Sequence, residues 1–317
     1  MSTFLNDTLE ARRVGVLETK ILRTLLYFDI FHHPMRAKEI FCYLHGRAAD
    51  EGALSGALQR LSEEGLVHAR NGFYALRKVD LLSRRRLEGE ERAERALATA
   101  RKYSALIASF PFVRGICISG SLSKGYMDAD TDIDYFVITQ PGRLWLSRTL
   151  LVLFKKIFLL NSRKHFCVNY FITSENLQIP DENIFTATET ASLIPTYNHA
   201  VYMQLLRSNG WVKDYLPQLV HREQESVTPR TPRLKRKLER ILDGNVGEKL
   251  DAASFRLTLK YWKRKFRDFD TTTFDLRLRS RKNVSKHHPH GFQEKVLNAY
   301  DEQIRRFENQ HALSLRG

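Results

Sequence analysis

Residues Cys117–Thr139 read CISGSLSKGYMDADTDIDYFVIT. Two apolar runs enclose a Gly-Ser step and four aspartates, Asp128, Asp130, Asp132 and Asp134. Neighbouring carboxylates repel one another and cost stability unless a positive group joins them. Asp132 and Asp134 lie two apart at the start of an expected strand, so their side chains share one face while Ile133 takes the other. Two hard oxygen donors placed in this way suit Mg²⁺ or Mn²⁺, which take one or two protein carboxylates and complete their shell with phosphate oxygens and water. Gly120 lets the backbone approach a ligand closely, Ser121 adds a hydroxyl, Lys124 supplies countercharge for phosphate, and Gly125 turns the loop back. The stretch predicts a metal that carries a nucleotide.

Working outward, VRGICIS before the Gly-Ser step and IDYFVIT after it are β-branched apolar runs suited to buried strands, and HFCVNYFIT is a third. GRLWLSRTLLVLFKKIFLL between them reads as a helix, as do FTATETASLIPTY, AVYMQLLRS, RLKRKLERIL, EKLDAASFRLTLKYWKRKFRDF and FQEKVLNAYDEQIRRFE further on. Upstream, Leu81–Phe110 is charged and then alanine-rich, the pattern of a long linking helix that Pro111 ends. The expected fold class is α+β, with mixed strands, and the expected division is 1–80, a linker helix over 81–110, a core over 111–200 and a basic helical region over 201–317.

The chain has 317 residues, is 43% apolar and carries a formal net charge of +15, which describes a globular protein able to bury sizeable cores. From His221 to Gly317 there are 23 Lys and Arg against 13 Asp and Glu. A field of that sign attracts RNA, other polyanions or acidic lipid surfaces, and also describes a solvated helical face. A membrane-surface role has no lipid-anchor motif behind it. Three cysteines without a CxxC pair argue against a disulfide framework and a thiolate zinc site. No signal peptide and no clean apolar run of spanning length are read, so a cytoplasmic location is expected.

Residues Glu18–Arg77 offer three helical patterns and then two short strand-like runs around Asn71-Gly72, a strong hairpin signal. This order resembles a winged helix-turn-helix domain. The resemblance implies nucleic-acid recognition through the third helix, but Glu51, Glu63 and Glu64 there oppose a phosphate backbone and favour a structural or protein-contact role.

The strand at Ile116–Ser119, Gly120-Ser121, and Asp132-Ile133-Asp134 leading into Tyr135–Ile138 together resemble the DNA polymerase β-like nucleotidyltransferase superfamily, over about residues 110 to 175. The segments NYFIT, FTATETASLIP, NGWVKDYLP and SKHHPHGFQ are similar to bacterial nucleotidyltransferase-domain proteins. The resemblance implies a small mixed sheet flanked by helices and metal-dependent transfer of a nucleoside monophosphate from an NTP to an acceptor; the basic C-terminal region tilts the acceptor slightly to RNA over protein or a small molecule. The resemblance also implies a third carboxylate on the later strand. The corresponding position is Asn169, which is neutral. Glu189 and Glu175 are the acidic residues that can move in from outside the strand. Without them, a catalytically inactive nucleotide sensor is the alternative.

Three further groups stand out. Lys282, Lys286 and His288 are candidate phosphate or acceptor contacts. His32, His33 and the cluster His287, His288 and His290 invite a zinc reading against a turn composition. Trp211, Tyr261 and Trp262 suit base stacking or, at helical spacing, a core. Asp128 and Asp130 are expected as solvated loop residues.

Overall fold

The computed structural model describes residues 12–47, 50–162, 164–219 and 232–315, and the protein is of mixed α+β class. It separates into two compact units. The first takes the described residues of 1–86, 213–220 and 293–317, the second those of 87–212 and 221–292.

In the first unit, β1 (Arg12–Arg13) leads to α1 (Val16–Asp29), β2 (Met35–Arg36), α2 (Ala37–Cys42), α3 (Glu51–Glu63), β3 (His68–Arg70) and β4 (Phe73–Ala75). Ile21, Leu22 and Leu25 of α1 and Leu54, Leu58 and Leu61 of α3 are all buried, as the helical spacing of these residues requires. Asp50 caps α3 by accepting the Ala53 N–H at 2.7 Å. Asn71 and Gly72 both take positive φ, the conformation a two-residue hairpin demands, and β4 pairs antiparallel with β3 and β2. The expected three helices and hairpin are thus present.

The C-terminal helix α13 (Phe292–His311) and β11 (Leu313–Ser314) belong to this unit almost entirely, and β11 pairs in parallel with β1. Tyr300 of α13 packs edge-on to Tyr27 and its hydroxyl meets His45 Nδ1 at 3.0 Å. The expected contiguous region 201–317 is therefore divided, because aromatic burial draws α13 back to α1.

The second unit holds a six-stranded mixed sheet in the order β8-β5-β6-β7-β10-β9. It begins within α4 (Val79–Ala108), the long helix expected over 81–110, and continues as β5 (Val113–Ser119), α5 (Gly120–Ser123), β6 (Asp134–Thr139), α6 (Leu144–Phe158) and β7 (Cys167–Thr173). Then follow α7 (Ile184–Ala191), β8 (Ile194–Tyr197), α8 (His199–Ser208), α9 (Val212–Tyr215, where the division between units falls again), α10 (Arg233–Ile241), α11 (Gly244–Lys265), α12 (Thr271–Leu278), β9 (Ser280–Arg281) and β10 (Val284–Lys286). β5 and β6 are antiparallel, while β6 and β7 are parallel and joined through α6. Successive residues of β6 serve opposite cores: Tyr135 and Val137 face the one that α4 and α6 cover, Phe136 and Ile138 the one beneath α8. Burial on both faces explains why these strands read as continuous apolar runs.

Two sequence expectations change here. FTATETASLIPTY is a helix only to Ala191, and Ile194–Tyr197 pairs with β5 as an edge strand. The stretch after 278, within the expected basic helical region 201–317 but read as no particular helix, supplies β9 and β10 to the sheet. Trp262 is core, edge-on to Trp145 and under the Arg148 guanidinium, and Trp211 packs on the second core with its N–H on Asn209 Oδ1, whereas Tyr261 is exposed.

Candidate functional site at one end of the sheet

The C-terminal end of β5 meets the N-terminal ends of β6 and β7, and the register sets Ser119 beside Asp134 and Asp134 beside Cys167. Gly120 follows at φ +69°, and a Cβ there would stand 2.8 Å from Asp134 Oδ2. Only glycine allows both the left-handed backbone and this approach. Gly120→Ala is therefore expected to cost about 1–2 kcal/mol from backbone strain and also to displace the Asp134 carboxylate. Gly125→Ala, at φ +71° with open space around it, should cost only the backbone component. Melting curves of the two variants check this: both melt earlier, Gly120→Ala by more than Gly125→Ala.

Ile133 is fully buried and donates its N–H to Lys164 O at 3.0 Å, which anchors the Asp132-Ile133-Asp134 step just ahead of β6. Burial pushes the Asp134 carboxyl up to about 6; the Cys167 thiol hydrogen bond opposes this, and the charges of Asp132 and Glu189 add to it. Asn169 sits where the β6–β7 register shifts, as the extra residue between Val168 and Tyr170. A bulge re-aims a side chain in this way. The Asn169 amide donates to Asp134 Oδ1 at 3.1 Å and to Cys167 Sγ at 3.0 Å. The Asn169 side chain thus faces Asp134, with its amide nitrogen toward the carboxylate. Cys167 carries no signal in the sequence that would have placed it here; burial first, and then Asp134, push its thiol up to about 12, so it acts as a neutral neighbour.

Lys124 Nζ donates to Glu189 Oε1 at 2.7 Å and to Gly120 O at 3.1 Å. Glu189 of α7 therefore does come into electrostatic reach of Asp134, held by the lysine. Glu175 is exposed just past the end of β7, away from Asp134 at the strand's start. Ser121 Oγ is buried and finds no hydrogen-bond partner among the described residues.

The residues fit a hard cation with phosphate. Asp132 and Asp134 provide oxygen donors, and Ser121, which follows Gly120 in the chain, provides a buried hydroxyl without a partner among the described residues. Among the described residues no group of three or more His, Cys, Asp or Glu side chains converges as a metal cage, so a cation here would complete its shell with substrate and water oxygens.

Other expected site residues fall elsewhere. Lys286 is buried, its Nζ 3.1 Å from Asp181 Oδ2, and Arg279 makes a two-pronged pair with the same carboxylate at 2.9 and 3.0 Å. Lys286 is a core ion-pair member, which overturns its expected phosphate contact. His288 is half-buried near Tyr170, and burial followed by the Lys286 charge lowers its pKa to about 4, which leaves it neutral and a poor anion ligand. Lys282 is exposed in the β9–β10 turn. His287 packs on Trp262 and Phe266, and His33 lies in the first unit beside Arg86. Asp130 is exposed as expected, but Asp128 is half-buried and accepts the Tyr126 hydroxyl at 2.6 Å.

Comparison of the chain with protein-family models, with curated proteins and with solved structures finds no match. No helix among the described residues is long and apolar enough to cross a membrane.

Proposed function

We propose that this chain is a metal-dependent nucleotidyltransferase, with a polymerase β-like core in the second unit and a winged helix-turn-helix in the first. The observation that carries the reading is the close approach of Gly120 to Asp134 at one sheet end, where Asp132 and Glu189 lie in electrostatic reach of that carboxylate, Ser121 Oγ on the same turn has no partner among the described residues, and burial holds Asp134 near a pKa of 6. A buried carboxylate with a raised pKa is costly, and a cation repays the cost.

In this reading Asp132 and Asp134 would hold Mg²⁺ or Mn²⁺, and the cation would supply neutralising charge for the triphosphate. Ser121 and the backbone at Gly120 hold phosphate oxygens. Lys124 exchanges Glu189 for phosphate, and the freed Glu189 carboxylate, already within reach of Asp134, can accept a proton from the attacking acceptor. The acceptor oxygen forms its bond to the α-phosphorus as the bond to pyrophosphate breaks. An RNA, a protein side chain or a small metabolite meets the chemical requirement for an acceptor.

A second reading, a nucleotide sensor without turnover, is favoured by one observation: Asn169 stands where a third carboxylate is expected and donates to Asp134. Incubation with each α-³²P-labelled NTP, Mg²⁺ or Mn²⁺ and total cellular RNA and protein separates the two. Label transfer or pyrophosphate release that Asp132→Ala/Asp134→Ala loses is the expected result. Metal-dependent nucleotide binding without any turnover would place the sensor ahead, and no nucleotide binding at all would end both.

A further inference from the structure

The 22-residue helix α11 packs one face into the second unit, through Phe255 and Trp262 against Trp145 and through buried Asp251, which accepts the Leu146 N–H at 2.8 Å. A different face is open and apolar. Val246, Leu250, Leu257 and Tyr261 are 58%, 42%, 69% and 59% exposed, and their spacing of four, seven and four puts them in one row along the helix. Lys249, Arg256 and Lys260, all exposed, each precede a member of that row by one residue, so they form a cationic row about 100° round the helix from it. Lys263 and Arg264 extend the positive charge, while Glu248 is the one exposed acid of the helix among its described residues.

A soluble surface rarely keeps so long an apolar row open. We infer that α11 docks the protein on an anionic lipid surface, with the row of Val246, Leu250, Leu257 and Tyr261 entering the headgroup boundary and Lys249, Arg256 and Lys260 meeting the lipid phosphates. Charge complementarity selects this occupant. A second copy would bring two cationic rows together in a chain already at +15. RNA would use the cations and leave the apolar row in water. A single convex helix that carries an apolar row with a cationic border has the form of an interfacial helix.

Co-sedimentation of the full chain with phosphatidylcholine vesicles, with and without added phosphatidylglycerol, tests it. The expected result is binding that is at least about tenfold tighter to the anionic vesicles and weakens with salt. Leu257→Ser/Tyr261→Ser should reduce that binding by about tenfold, and Arg256→Gln/Lys260→Gln should reduce it and flatten its salt dependence. All four side chains are exposed or solvent-facing, so circular dichroism and melting should stay as in the parent. The inference is overturned by equal binding to both vesicle types, or by Leu257→Ser/Tyr261→Ser binding vesicles like the parent. It is equally overturned if light scattering shows a dimer that this variant abolishes, or if the chain ignores vesicles and binds an RNA oligonucleotide instead. None of these outcomes depends on nucleotide transfer, so the docking and the catalytic readings stand or fall separately.

Discussion

Asp134→Asn is expected to raise the melting temperature of the metal-free protein at neutral pH and, at the same time, to abolish metal-dependent nucleotide binding. Burial, reinforced by Asp132 and Glu189, lifts this carboxyl from 3.8 to about 6 in the folded state. Between those two values the folded protein holds a proton that the unfolded chain has released. Stability therefore falls as pH rises through that window, and the full penalty is present at pH 7 and above. The asparagine keeps the shape, avoids the buried charge and should recover about 1–3 kcal/mol, a few degrees of melting temperature for a chain this long. The gain should vanish below pH 4, where both side chains are neutral. Nucleotide titration with Mn²⁺ should show a loss of roughly 10²-fold or more, the scale on which sites lose a principal electrostatic anchor. A parent protein that melts above the variant at pH 8 without metal would refute the stored cost. Unchanged Mn²⁺-nucleotide binding would refute the assignment of Asp134 as a ligand.

Asp181→Ala should be among the most damaging single changes outside the apolar core. Asp181 is the shared counterion of Arg279 and Lys286, both buried. Burial alone would raise its carboxyl, but the Arg279 hydrogen bonds and the Lys286 charge together hold it below the ordinary value. Its stabilisation is thus present above the usual carboxylate range and lost as pH falls through the lowered value. Truncation removes the carboxylate that the two buried cations share and leaves half-exposed Asp275 beside Arg279, a cost of about 3–5 kcal/mol. Urea denaturation should show it as a lower midpoint. Lys286→Met combined with Asp181→Asn should recover part of the loss, because it removes one buried charge with the counterion. If Asp181→Ala stayed within about 1 kcal/mol of the parent, the cluster would have to be solvated rather than core.

The link between this cluster and the site runs through the sheet. β10 carries Lys286 and pairs with β7, and the next residue, His287, donates its N–H to Asn169 O at 3.0 Å. Loosening Lys286 therefore loosens the strand that presents the Asn169 bulge to Asp134.

The sequence alone determined the three central strands, the hairpin at Asn71-Gly72, the linking helix and the glycine at 120 where the backbone passes Asp134. Each of these is a local requirement: burial on both faces demands a continuous apolar run, a two-residue turn demands positive φ, and a glycine is needed where the backbone passes a carboxylate. Tertiary structure alone decided the rest. Ile194–Tyr197 became a strand because β5 offered it an open edge, and α13 left the C-terminal region because Tyr300 found Tyr27 and His45. Lys286 and Lys282 are the same letter four residues apart, yet one is locked on Asp181, 105 positions away in the chain, and the other is in water. Lys124 likewise met Glu189 only across 65 residues. Pairings over such separations depend on which surfaces the sheet brings together, and local spacing carries no record of them.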